Sequence, residues 1–202
     1  MAQQTTRMPG TVAPWRQSLS DAVETGARNA ADWLIGHWLG LLNWVLGLVL
    51  LIAIVTPILA YLGFTDLAGT IFRSYHAICE QVPSHAFFIF GHQMALCARN
   101  FSLYFAIWAG TMLFRVLRNR IRPLHWSLAI LMLLPMALDG GTQLFGWRES
   151  NPPLRIITGL LFGLGVCWFA LPFVQEAVNE SAPVLNGEMR IDGSRVMPTP
   201  SL

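Results

Sequence analysis

The 202-residue sequence predicts an all-α integral membrane protein: a four-span helical bundle with an amphipathic N-terminal helix and a disordered C-terminal tail. Three observations carry that expectation. Charged residues make up 12% of the chain, about half the roughly 25% of a soluble domain, too few to clothe a water-facing surface. Four apolar stretches approach or exceed the ~20 residues that a helix needs to cross a bilayer. The remaining charge is concentrated between and beyond those stretches.

Residues 1–32 form an N-terminal segment on the cytoplasmic side. Its first 14 residues are polar, with Pro and Gly, and predict disorder. From Trp15 the apolar positions Trp15, Leu19, Val23, Ala27, Ala30 and Leu34 recur every three or four residues, the period of a helix with one apolar face. Arg16, Asp21, Glu24 and Arg28 take the other face. Such a helix suits the membrane surface or a partner. No cleavable signal peptide is visible, so the first span reads as an uncleaved anchor. Residues 33–176 form the membrane domain. The first apolar run, 33–63, exceeds one bilayer thickness and contains Pro57, so a tilt or kink is expected. Further spans are expected at about 94–117, 125–146 and 154–176. Residues 177–202 are polar and carry Pro183, Pro198 and Pro200, the composition of a disordered tail.

Arginine placement orients the chain. All 13 basic residues are Arg, and Arg115, Arg118, Arg120 and Arg122 crowd the short loop between spans two and three. Cytoplasmic loops carry this excess, so both termini are expected in the cytoplasm, with segment 64–92 and the turn 147–153 outside. A prokaryotic plasma membrane is the expected location. A net charge of +2 does not suggest nucleic-acid binding.

Charge inside a span costs about 2.5–3.5 kcal/mol at a helix centre, so intramembrane ions are paired or functional. Arg99 lies just inside span two and Asp139 near the outer end of span three, at similar depth, and they are expected to pair. Gln143, at i+4 from Asp139, shares its helical face. Arg148, Glu149, Ser150 and Asn151 in the outer turn and Arg155 and Thr158 at the start of span four extend the cluster. Two readings stay open: an ion pair that fixes helix packing, or a ligand or catalytic site. Gly140 and Gly141 would allow close approach of a ligand or backbone. Gly159, Gly163 and Gly165 fit the small-xxx-small pattern of packed membrane helices.

Three cysteines are too few for a disulfide framework. His76 and Cys79, with His85, His92 and Cys97 nearby, have donor types that suit a transition metal, and Cys79 with Cys97 suits a disulfide if the outer side is oxidising. Reduced cysteines packed in a helical cap are the third reading, and no metal site is assigned. Cys167 reads as a small apolar filler. The nucleotide, dinucleotide, hydrolase and zincin signatures are missing. Acid–base chemistry by Asp139 with Glu149 or His92 requires the pair within hydrogen-bond reach.

The blocks ICEQVPSHAFFIFGHQMALCARNFSLYFAIWAG (78–110) and LPMALDGGTQLFGWRESNPPLRIITGLLFGLG (134–165) resemble the predicted membrane proteins grouped as domain of unknown function 2085. The likeness covers roughly residues 70–170. The family tends to show Cys-His-Gln where this chain has Cys79-Glu80-Gln81, and Cys-x-Arg-Cys where it has Cys97-Ala98-Arg99-Asn100. The resemblance implies membrane location and the span count, but no activity or cofactor. The functions left open are binding of a lipid, quinone or partner membrane subunit (homo-oligomers included) through the Arg/Asp/Asn site near the outer leaflet, a membrane enzyme acting on a lipid-linked substrate, and a small transporter.

Overall fold

The computed structural model describes residues 14–117, 120, 123–185, 189–192 and 195–198. The polar residues 1–13, and Arg118 and Arg122 of the arginine loop, lie outside the described residues. The chain forms two units, Trp38–Ala177 and Met1–His37 with Val178–Leu202.

Four helices among the described residues are long and apolar enough to cross a membrane. They belong to α1 (Pro14–Tyr61), α3 (Ala98–Leu117), α4 (Trp126–Leu144) and α5 (Pro152–Leu185). A shorter helix, α2 (Thr65–Ser74), and an antiparallel hairpin, β1 (Ala86–Ile89) with β2 (His92–Cys97), fill the connection between α1 and α3. The expected start of the second span near residue 94 moves to Ala98, because His92–Cys97 is a strand. The amphipathic lead-in and the first span are one continuous helix, α1, with Pro57 inside it. α5 continues past the expected end of the fourth span.

In the larger unit, the helices are apolar outward and small inward. Along α4, Leu128, Leu131, Leu134 and Leu138 are all exposed, a three-to-four-residue stripe suited to hydrocarbon. Asp139 on the same helix is 3% exposed. Glycines set the helix spacing. A Cβ at Gly163 would stand 2.6 Å from the Leu103 carbonyl and 2.7 Å from Ala106 Cβ, both on α3. At Gly165 it would meet Met132 of α4 at 2.9 Å. The expected small-residue packing is therefore the device that seats α5 against both neighbours. Buried polar groups tie α1 in: Thr111 Oγ1 donates to Asn43 Oδ1 at 2.9 Å, and Tyr75 Oη to the Val49 carbonyl at 2.6 Å.

The β1–β2 hairpin turns through Phe90 (φ 52°) and Gly91 (φ 80°), the residues between the Ile89–His92 pair. Positive φ at both central residues is the hairpin solution that matches strand twist, yet a bulky residue there is unusual. The Phe90 ring stacks on Tyr61 at the end of α1, centroids 4.7 Å apart. That contact offsets part of the backbone cost and anchors the hairpin.

In the smaller unit, Trp15, Leu19 and Val23 are exposed along the start of α1, while Glu24 and Arg28 form an i,i+4 ion pair. The described part of the polar tail includes an antiparallel pair, Met189–Asp192 with Arg195–Pro198.

Candidate polar cavity

The site grows from one buried carboxylate. Asp139 sits one turn from the end of α4, and three side chains converge on it. Arg99, in the first turn of α3, pairs with Oδ2. Ser150 Oγ donates to the same oxygen at 2.8 Å, and Arg148 Nη2 reaches Oδ1 at 2.8 Å. A buried charge is tolerable only when paired and hydrogen-bonded, and Asp139 meets both conditions. A Cβ at Gly140 would stand 3.6 Å from Arg99 Nη1, an ordinary contact distance.

Gln143 extends the network one turn further. Its Oε1 accepts from Arg99 Nη2 at 3.1 Å, and its Nε2 donates to the His85 ring at 3.2 Å. Burial and the nearby Arg155 push the His85 pKa down, which keeps the imidazole a neutral acceptor at neutral pH. Arg155 is 2% exposed and reaches the Ser84 carbonyl at 3.4 Å. The Nε atoms of both Arg99 and Arg155 are buried without a hydrogen-bond partner among the described residues.

A second wall faces this one across a cavity of about 650 Å³, which Cys79, Cys97, His76, His85, Arg99 and Gln143 line. Cys79 follows the 3₁₀ turn Tyr75–Ala77, and Cys97 ends β2. The Cys97 backbone N–H donates to Cys79 Sγ at 3.2 Å. All three cysteines are free thiols. Gln81, in the left-handed region at φ 56°, holds the loop in place. Its amide donates to the carbonyls of Phe72 (2.6 Å) and Ala95 (3.1 Å), and its own carbonyl accepts from Gln93. Hydrogen bonding from Cys97, through its thiol and its backbone N–H, and from the Gln81 backbone brings the Cys79 thiol down to about 6, against the opposing effects of burial and Glu80. The Cys97 thiol is pushed up, first by its hydrogen bond to Cys79 and then by burial.

The geometry sorts the expected residues. Arg99, Asp139, Gln143 and Arg148 form one network, and Arg155 lies buried behind Ser84. Glu149 is exposed and acts on His85 and Arg155 only through its charge. Asn151 has a helix-capping role: its Oδ1 accepts from the Leu154 N–H at 2.9 Å, with proline following at the first position of α5. His76 lines the cavity. His92 lines a separate cavity with Arg73 and Thr65, so it does not join Asp139. Ser150, expected in the same cluster, and His85, expected among the metal donors, complete the network through Asp139 and Gln143. No group of three or more His, Cys, Asp or Glu side chains among the described residues is placed to hold a metal ion.

Residues 79–169, which span both walls, match the predicted membrane protein family DUF2085. An uncharacterised protein of Methanocaldococcus jannaschii is 40% identical over 131 residues, covering 60% of this chain and 83% of that protein. An uncharacterised protein of Methanothermobacter thermautotrophicus is 33% identical over 92 residues, 46% of this chain and 83% of its own length. No solved structure matches. Four membrane-length helices, a matched segment running from Cys79 through Arg155 and this extent of identity together make the chain a member of the DUF2085 family of predicted membrane proteins.

Proposed function

We propose that the cavity binds the anionic headgroup of a membrane lipid, with Arg99 as the principal contact. The observation that carries this is an excess of positive charge around one carboxylate. Arg99 and Arg148 share Asp139, Arg155 is buried nearby, and the Nε donors of Arg99 and Arg155 have no partner among the described residues. Arginine's planar fork matches phosphate oxygens, and it sheds water more readily than lysine. Gln143 and neutral His85 supply polar contacts that fix orientation. The arginine-rich loop at the other end of α3 favours a topology with that loop and both termini in the cytoplasm of a prokaryotic cell. The cavity then opens at the outer leaflet.

The test is thermal unfolding of purified protein in detergent micelles doped with phosphatidylglycerol or with phosphatidylcholine. Saturating ligand adds about 2.7 kcal/mol at a hundredfold excess over Kd, so phosphatidylglycerol should raise Tm by about 5 °C or more. Arg99→Gln should abolish the rise. Equal responses to the two lipids, or an undiminished response in Arg99→Gln, would refute the assignment.

A further inference from the structure

We infer that Cys79 and Cys97 form a reversible dithiol–disulfide couple that exchanges with small disulfides entering the cavity, with Cys79 attacking and Cys97 resolving. The inference goes beyond headgroup binding and rests on the second wall.

Four observations support it. The two residues are in direct contact, with the Cys97 backbone N–H on Cys79 Sγ. Both line the cavity, so a reagent has a route to them. The loop that carries Cys79 is pinned by strained Gln81, whose side-chain amide makes two hydrogen bonds to backbone carbonyls, and by Asn100, which donates to the Ile78 carbonyl at 2.8 Å. That is more scaffolding than a packed thiol needs. The two sulfurs also differ in kind. Cys79 accepts hydrogen bonds that stabilise a thiolate, while Cys97 donates one and stays protonated. This split between nucleophile and resolver is what exchange requires. Cys167, between the helices, lines a separate apolar cavity and lacks such a partner thiol.

The chemistry balances. The Cys79 thiolate attacks one sulfur of R–S–S–R, the S–S bond breaks, and RS⁻ leaves. The Cys97 thiol gives its proton to RS⁻, and its thiolate attacks the Cys79 sulfur of the mixed disulfide. A second RS⁻ leaves and takes up the proton that Cys79 lost on ionising. Two thiols are oxidised to Cys79–S–S–Cys97, and one small disulfide is reduced to two thiols. Arg99 on the opposite wall gives the cavity a preference for anionic reagents, and this part alone rests on the proposed function.

The experiment uses full-length protein in detergent and three disulfides of closely similar shape: bis(2-hydroxyethyl) disulfide (neutral), bis(2-sulfonatoethyl) disulfide (anionic) and cystamine (cationic). Intact mass and peptide mapping after alkylation report the products. Wild type should lose two alkylatable thiols and yield a linked Cys79–Cys97 peptide that dithiothreitol reverses. Cys97→Ser should stop at a mixed disulfide on Cys79. Cys79→Ser should form no adduct at Cys97 at a comparable rate, and Cys167→Ser should behave as wild type. The anionic reagent should react on the order of tenfold faster than the cationic one at low salt. Size-exclusion elution matched to wild type, together with Cys97→Ala as a second resolver-free variant, guards against misfolding. Two free thiols in oxidised wild type, or adducts in Cys97→Ser that fall on Cys167, would overturn the couple. Disulfide formation with no charge preference would uphold the couple and count against the anion-binding reading.

Discussion

The two walls of the cavity are built on opposite principles. The arginine wall, presented by α3 and α4 and braced by the 146–151 turn, is held by ions: one carboxylate at 3% exposure pairs with two guanidinium groups and accepts from a hydroxyl. The cysteine wall, on the connection from Tyr75 to Cys97, is held by amides. The Gln81 and Gln93 side-chain amides donate to backbone carbonyls, and the charged Glu80 beside them is exposed. An ionic wall fixes charge at a chosen place but depends on every partner, because removing one leaves a buried ion uncompensated. An amide wall tolerates single losses better and leaves its sulfur free to change oxidation state. The contrast implies different sensitivities to mutation.

Asp139→Ala should have the largest effect. It leaves Arg99, whose side chain is 17% exposed, without its counter-ion, and unfolding in detergent should show a loss of about 3–5 kcal/mol. A small effect would mean that water or the Gln143 amide solvates the Arg99 cation well enough without Asp139, and the ionic description would fail. Gln81→Ala tests the other wall. It removes two amide hydrogen bonds to backbone carbonyls, one of them on buried Ala95, for a cost of about 1–3 kcal/mol. It should also slow alkylation of Cys79, since the loop that presents the thiolate loosens. Stability loss with unchanged Cys79 reactivity would separate the scaffold from the sulfur chemistry. Arg148→Gln should be the mildest, at about 1 kcal/mol or less, because that guanidinium is 53% exposed and solvent-screened. A loss as large as that of Asp139→Ala would show that the ion network acts as one unit.

Much of the arginine wall is legible in the sequence; of the cysteine wall, the grouping of His76, Cys79 and Cys97 is legible and the backbone that delivers it is not. A charged residue in an apolar span demands a partner, so Arg99 and Asp139 at equal depth on adjacent spans point to each other before any coordinates. Gln143 follows from helical spacing. Ser150 is legible as part of the outer turn and His85 as a donor near Cys79, but their bonds to Asp139 and Gln143 are not, since a polar residue in a loop between spans carries no period. Asn151 has the right composition for the cluster, but its amide caps α5.

The hairpin escapes for two further reasons. Its turn is Phe90-Gly91, without the Asn or Asp that announces a positive-φ pair. In β2, Met94, Ala95 and Leu96 are buried in succession, so the strand lacks the alternation that marks one face and reads as the start of a span. That reading moves the span's beginning and hides the strand that brings Cys97 back to Cys79, although the two cysteines are legible as a candidate pair. Convergence of the two walls on one cavity is a tertiary result that neither segment encodes alone.

The central claim, that the cavity selects an anionic headgroup through Arg99, is tested most directly by native mass spectrometry of protein purified in mild detergent. Wild type should carry a phosphatidylglycerol-class adduct that survives gentle activation. Arg99→Gln should lose it, and Arg115→Gln, at the far end of α3, should retain it. Equal adducts on all three, or loss in Arg115→Gln alone, would place lipid binding elsewhere and contradict the account.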